Sequence, residues 1–383
     1  MKRVLILYAK YGGGHLSAAN SIQTYIEDHY FYNTNVKCVD CMEYINPLIN
    51  RSTTEAYKLM AKKTPNLWKK IYYGSTKGVL SKISSKTNEI MAKKLHGLFK
   101  EFLPDIVIST HPFASQMTSY LIEHKKVNCQ LATVMTDFAP HPQWLIGKEF
   151  GDYFFVSNDK MKDSLINDYN IPAEKVFATG VPLANRFSYP FDDEKTYKDY
   201  KLTKDKKLIL FFGGGEFGLG QKRTIEVLRS LSKHLDKYQI VAISGRNKKM
   251  NDEFLRLSEK LQSSDLHVLK YSNDVPELMH ISSLVVTKPG GLTSSESLAS
   301  HLPIIISNPI PGQEEENAEF LENSGAAIWI KKNDNIDEII NGILNDENKI
   351  NSMKEKSILI AKPDSTRDIC EKILGKLNWN NIL

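Results

Sequence analysis

Four cysteines in 383 residues, Cys38, Cys41, Cys129 and Cys370, are too few for a disulfide framework. Cys38 and Cys41 have CxxC spacing, but no second pair and no paired histidines accompany them, so buried reduced thiols are expected rather than a metal or redox centre. No apolar run approaches the ~20 residues needed to span a bilayer. The apolar run at 4–9 is too short for a signal peptide and leads directly into glycines, which points to a chain that starts life in the cytoplasm. RNP, zinc-finger and helix-turn-helix patterns are missing, as are internal repeats and an Asp-x-Asp pair at a strand end. The composition is that of an ordinary globular protein, 41% hydrophobic and 25% charged, and the length suggests two domains.

Charge is unevenly spread. Residues 51–100 carry eleven lysines and Arg51 against two acids, a net +10, whereas the whole chain is +5 and the remainder therefore −5. Trp68, Tyr72 and Tyr73 lie among the lysines. A basic stretch with interleaved aromatics suits a phosphate-rich partner or a plain solvated helical face. Lysine dominates over arginine, which favours an anionic membrane surface over nucleic acid, with Lys62, Lys63, Trp68, Lys69 and Lys70 as the contact group.

Short apolar strands alternate with helical stretches in two series. Strands at 2–9, 36–39, 105–109, 131–135, 153–157 and 176–179 form the first, and strands at 208–212, 240–244, 266–271, 284–286 and 304–307 the second. This alternation predicts parallel sheets with helices on both faces, an α/β class of two doubly wound, Rossmann-like domains. The pattern lapses at 187–207, read as a linker between an N-terminal domain at 1–186 and a C-terminal domain at 208–362. A last helix, within 363–383, could pack on either. In such sheets ligands sit at the carboxyl ends of the strands.

The stretch 287–317 carries the densest chemistry. After a strand come Pro289, Gly290 and Gly291, then a helix expected to open at Thr293 with Glu296 in its first turn. A polar loop with Gln313, Glu314 and Asn317 follows the next strand. Glycines before a helix let a phosphate reach its free backbone N–H groups. A carboxylate one turn in can accept from both hydroxyls of a ribose. A Gln/Glu/Asn loop suits sugar hydroxyls. The blander alternative is a strand–turn–helix capped by Thr293 or Ser294.

The first glycine loop (Gly12, Gly13, Gly14, His15), the stretch TDFAPHPQW at 136–144, and KPGGLTSSE with PGQEEEN and Gly325-Ala326-Ala327 together resemble glycosyltransferase family 28. Within it the resemblance is to the diacylglycerol glycosyltransferases, both the bacterial processive glucosyl type and the plant-type galactosyl branch. His301 stands where the family usually has a small glycine. The resemblance implies a GT-B fold, two Rossmann-like domains facing across a cleft, with the acceptor on the N-domain and the UDP-sugar mainly on the C-domain. It implies inverting transfer to the 3-hydroxyl of diacylglycerol without an essential metal or other cofactor, on the inner face of the cell membrane. Glu296 matches the ribose-binding position, and Gln313 and Glu314 match positions contacting the donor sugar.

In-line inverting transfer needs a base, donors for the departing diphosphate, and alignment of both groups. The amides of Gly213, Gly214 and Gly215, with Glu216 beside them, and those of Gly290, Gly291, Leu292 and Thr293 can serve the diphosphate. Arg246, Asn247 and Tyr271 follow C-domain strands and could hold the uracil. Two residues can serve as base. His15 heads the first helix, whose N-terminus disfavours imidazolium, and Asp137 ends a strand on the same rim. Gly13, Gly14, His111, His141 and Trp144 are expected to line the acceptor cleft. Two other readings stay open: a UDP-N-acetylglucosamine 2-epimerase-type isomerase, or transfer of N-acetylglucosamine to a lipid-linked cell-wall precursor. A UDP-sugar-binding protein without catalysis is a further class. The expected partners are a UDP-sugar, diacylglycerol and an anionic membrane, with no nucleic acid.

Overall fold

The structure, a computed structural model, describes residues 1–46, 78–188, 190–214 and 221–376. Lys62, Lys63, Trp68, Lys69 and Lys70, together with Gly215 and Glu216, lie outside the described residues. The chain divides into two compact units, one holding 1–46, 78–185 and 362–376, the other 186–361 without the residues outside the description.

The first unit is built on six parallel strands: β1 (Lys2–Tyr8), β2 (Thr34–Asp40), β3 (Ile106–Ser109), β4 (Gln130–Val134), β5 (Tyr153–Phe155) and β6 (Val176–Phe177), in the order 2-1-3-4-5-6. Its central strands β1 and β3 carry continuous apolar runs because both faces are covered, whereas the edge strand β2 is more polar. Val4 and Ile6 point to one face, with Ile22 and Ile26 of the helix Gly14–His29 and Ile369 and Ile373 of the helix Ser365–Leu374. Leu5 and Leu7 point to the other, with Leu95, Leu98 and Phe99 of the helix Gly78–Phe102 and Met117 and Leu121 of the helix Pro112–Glu123. Each such fully buried aliphatic side chain contributes about 1.5–3 kcal/mol. The last helix is also pinned by hydroxyls: Ser365 Oγ donates to the carbonyl of Val181 at 2.7 Å and Thr366 Oγ1 to that of Leu183 at 2.6 Å.

The second unit has β7 (Lys207–Phe212), β8 (Tyr238–Ile243), β9 (Leu266–Leu269), β10 (Ser282–Thr287), β11 (Ile304–Ser307) and β12 (Ala327–Ile330), in the order 12-11-10-7-8-9, all parallel. Strand order reverses direction between β1 and β3 in the first unit and between β7 and β10 in the second. Crevices at such switch points are where doubly wound sheets take ligands.

Four local expectations change. β12 does not stand out in the sequence, because only four residues follow the Gly325 turn. The lapse at 187–207 contains a helix, Asp193–Asp199, capped by Asp192, whose carboxylate accepts from the Lys195 N–H. The helix after β10 opens at Gly291, not Thr293, so Glu296 lies in its second turn. The polar stretch from Gln313 is a helix, Gln313–Asn323, and not a loop. Gly312 turns the chain with φ +96°, Glu315 reaches back to accept from the Gly312 N–H at 3.2 Å, and three glutamates occupy the positive end of the helix.

Candidate functional site

In the first unit the switch point brings the end of β1 against the end of β3. Gly12, at φ +101°, turns the loop, and a side chain at Gly12 or Gly13 would meet nothing within 4 Å, so this backbone is open to a ligand. His15 follows as the second helical residue. Its Nδ1 lies 2.7 Å from the carbonyl oxygen of Thr110, which can only accept, so Nδ1 carries the proton and Nε2 keeps its lone pair. Thr136 Oγ1 lies 3.1 Å from the same Nδ1, and Thr110 Oγ1 donates to the His15 carbonyl at 2.9 Å. Burial pushes the imidazole down to about 4, against the opposing pull of the Thr110 carbonyl. Desolvation thus acts in the same direction as the helix N-terminus in keeping His15 neutral.

His111 stands edge-on to His15, ring centres 4.6 Å apart, and burial followed by the nearby His15 holds it well below the usual histidine range. Trp144 lies 6.3 Å from His15 and Tyr11 5.3 Å from His111. His111 also caps the helix Pro112–Glu123, its Nδ1 accepting from the Phe113 N–H at 3.2 Å. His141 caps the 3-10 turn Pro142–Leu145 in the same way through Gln143 N–H. Asp137 is buried directly after Thr136, and its carbonyl accepts from Ser157 Oγ at 2.7 Å. His15, His111 and Trp144 thus form one aromatic cluster. Thr110 and Thr136, which orient the imidazole, were not singled out in the sequence, although each sits at a strand end beside a residue that was.

In the second unit the expectation for Gly213 fails. Its amide donates to the Ile243 carbonyl at 2.8 Å, and an added Cβ would lie 2.7 Å from Phe254 Cζ and 2.9 Å from Met250 Cγ. Gly213 is glycine for close packing, and its N–H is spent on the sheet. Gly214, at φ +84°, faces Lys288 across the switch point, with 3.2 Å between a built Cβ and the lysine Cε. Lys288, which immediately precedes Pro289, was also missed. Its ammonium pairs with Glu314 at 3.3 Å, in surroundings where the two side chains keep 14% and 18% of their exposure. The other oxygen of Glu314 accepts from the Ile310 N–H at 2.7 Å. Glu314, expected to face a sugar, is thus engaged by the protein itself. Asn317 is fully buried and donates to the Pro289 carbonyl at 3.0 Å, so it braces the glycine turn of the preceding motif.

That turn leads into the helix Gly291–Ala299 with Gly290 as N-cap and no side-chain cap. Neither Thr293 nor Ser294 caps it. The first-turn amides of Gly291, Leu292 and Thr293 have no intrahelical acceptor, and a side chain at Gly290 would meet nothing within 4 Å. An anion fits there on both geometry and dipole. Glu296, in the next turn, carries a carboxyl that burial alone raises to about 8, and among the described residues no hydrogen bond or ion pair holds it. It still keeps some accessible surface. Such a partly buried acceptor can take a donor from a ligand. The residues expected at the base are not gathered as closely. Asn247 caps the helix Lys248–Leu261 by accepting from the Met250 N–H at 3.1 Å, Tyr271 is 65% exposed, and Arg246 is exposed after the turn at Gly245.

Comparison with known proteins places this geometry. Residues 15–183 match the family model of monogalactosyldiacylglycerol (MGDG) synthase, and residues 192–359 match that of glycosyl transferases group 1. A processive diacylglycerol beta-glucosyltransferase of Bacillus cytotoxicus is 32% identical over 375 residues, 97% of this chain and 93% of the relative. Among solved structures, Staphylococcus aureus MnaA with UDP superposes with a TM-score of 0.66 at 14% identity, over 100% of this chain and 98% of that one. Acinetobacter baumannii MurG gives 0.64 at 14% identity, over 98% and 100%. The likeness to these two concerns the fold, GT-B with two Rossmann-like domains.

Proposed function

The chain belongs to the diacylglycerol glycosyltransferases of glycosyltransferase family 28, and on that premise we propose that it moves a hexose, glucose in the favoured reading, from a UDP-sugar to the 3-hydroxyl of diacylglycerol with inversion at the anomeric carbon. The observation that carries the donor assignment is Glu296, a partly buried carboxyl that no hydrogen bond or ion pair holds among the described residues, one turn beyond an uncapped helix N-terminus. A diphosphate on the amides of Gly291, Leu292 and Thr293 leaves a ribose within reach of that carboxylate, which accepts from both ring hydroxyls. Lys288 and the helix dipole oppose the charge that develops on the departing UDP, so the reading needs no resident metal.

On the acceptor side, the hydroxyl loses its proton as it attacks C1 of the sugar, and UDP leaves from the opposite face. His15 Nε2 is the first candidate for that proton, because its tautomer is fixed by Thr110 and none of the described residues hydrogen-bonds its lone pair. Asp137 is the second. A base whose cation is disfavoured by burial is poised at all physiological pH but holds the proton weakly, so the proton must pass on promptly. The basic stretch 51–100 is assigned to the anionic inner surface of the membrane, which presents the lipid acceptor. Repeated addition to the first product is part of the same proposal, whereas a 2-epimerase reaction has no use for such a segment.

Incubating the protein with diacylglycerol in mixed micelles and either UDP-glucose or UDP-galactose, then identifying the lipids formed, tests the reading. Mono- and diglucosyl products are expected from UDP-glucose. Release of UDP with no glycolipid from either donor would refute it.

A further inference from the structure

A buried chain of amides runs through the first unit and ends on the wall that carries Trp144 and His141. Gln116, on the helix Pro112–Glu123, is 3% exposed. Its Nε2 donates to the Gln143 carbonyl at 2.7 Å and to Gln143 Oε1 at 2.9 Å. Its Oε1 accepts from Nδ2 of Asn88, itself 7% exposed, on the helix Gly78–Phe102. The Gln116 amide therefore has partners on both its nitrogen and its oxygen, all inside the protein. Gln143 belongs to the 3-10 turn Pro142–Leu145, where its N–H bonds His141 Nδ1 and where Trp144 N–H donates to the His141 carbonyl at 3.0 Å.

A second feature fixes the same segment to the same helix face. Gly147 has φ +77°, and a side chain there would lie 2.5 Å from Cβ of Ser119. Ser119 stands three residues after Gln116, one turn along one face of the helix. The segment 141–147 thus touches that face at two points, one by hydrogen bonds and one by direct backbone packing. Cavity-filling apolar packing would tolerate sliding of such a wall, but two amide bonds to one buried side chain set its height.

We infer that Gln116 is a positioning residue for transfer to the lipid: it fixes the wall bearing His141 and Trp144 against His15, and through Asn88 it ties that wall to the helix leading out of the basic stretch. This rests on the acceptor side being the one proposed above. The role is one of placement, because Gln116 touches neither reactant. A displacement of about 1 Å at a reacting group can cost on the order of a hundredfold in rate.

The test uses the full-length protein with Gln116→Glu, which keeps shape and the acceptor for Asn88 but leaves at most one donation to Gln143, from a protonated carboxyl, and Asn88→Ala, which cuts only the other link. With diacylglycerol in anionic vesicles, Q116E should lower kcat/KM for the lipid by about ten- to a hundredfold, mainly in kcat, while UDP affinity measured by calorimetry stays within twofold. Hydrogen exchange should quicken in the peptide spanning 141–150 and stay unchanged in the strands of the second unit. N88A should leave turnover on detergent micelles close to normal and lose the extra turnover gained on anionic vesicles. The inference is overturned if Q116E leaves both exchange at 141–150 and lipid kcat/KM unaltered, or if it weakens UDP binding as much as lipid turnover. Exchange is read without any lipid, so a wild-type protein that makes no glycolipid would refute the acceptor reading while the positional claim is still judged by exchange.

Discussion

On the proposed reading, in which Glu296 holds the ribose, donor binding is tied to a proton. Without donor the Glu296 carboxyl is held at about 8 by burial, and among the described residues no partner offsets this. At pH 7 it is therefore about nine-tenths protonated, by simple titration. A ribose diol that donates two hydrogen bonds prefers the carboxylate, so binding must first expel the proton. Each pH unit below 8 then costs about 1.4 kcal/mol, a tenfold loss of affinity. UDP-glucose is the ligand to use, because its diphosphate diester does not titrate in this range. Its Kd should fall roughly tenfold per unit between pH 6 and 8 and level off above 8. Calorimetry at pH 7 in two buffers of different ionisation enthalpy should show release of about 0.9 proton per donor bound. In Glu296→Gln the release should vanish and the pH dependence flatten.

The same carboxyl affects stability with a definite sign. Its folded value lies above the unfolded value of 4.5, so its contribution is fully present below pH 4.5 and is lost as pH rises through 8. Above pH 8 the protein without donor holds a partly buried anion with no partner among the described residues, at a cost of about 2–4 kcal/mol once partial access to solvent is allowed for. E296Q should then melt higher than the wild type at pH 9 and alike at pH 4.5, even as it binds the donor less well. A wild-type Kd that is flat from pH 6 to 9, or proton release that survives E296Q, would refute this reasoning.

Replacing the true base should lower kcat by about 10²–10⁴ with UDP affinity nearly intact; normal turnover in both His15→Ala and Asp137→Asn would exclude the pair. His301 sits at φ +57° where the helix Gly291–Ala299 ends, its N–H bonded to Leu298 and that of Leu302 to Ser297, the double bond pattern that glycine serves best. His301→Gly should therefore raise stability by roughly 0.5–1 kcal/mol, read as a higher Tm, with kcat unchanged. Changing Lys62, Lys63, Lys69 and Lys70 to serine should release the protein from anionic liposomes, since each lysine contributes about 1 kcal/mol there and salt screens it. Liposome binding that persists in this variant at high salt would count against the electrostatic assignment.

How much of this was legible in the sequence depends on the range over which each feature is decided. The doubly wound fold was readable because Val4 to Leu7, or Leu208 to Phe211, form runs that only a sheet covered on both faces can bury. The glycine turn at 289–291 was readable because turn chemistry is local. Element edges were less so: Pro311, Gly312 and four polar residues look like a loop, and only the backward reach of Glu315 makes them a helix start. Gly213 and Gly12 look alike in a sequence, yet one is glycine because Phe254 presses on it and the other because the loop turns there at φ +101°. The polar residues that organise the site were the hardest to find. Thr110, Lys288 and Gln116 each act on a partner 95, 26 or 27 positions away, so no spacing rule marks them. The reverse holds for Glu296. Its type and place were visible, but its character comes from what is missing around it. A glutamate on a glycine-led helix is unremarkable when a lysine stands beside it. Here no charged neighbour contributes to its raised carboxyl, only burial, and among the described residues no hydrogen bond or ion pair holds it.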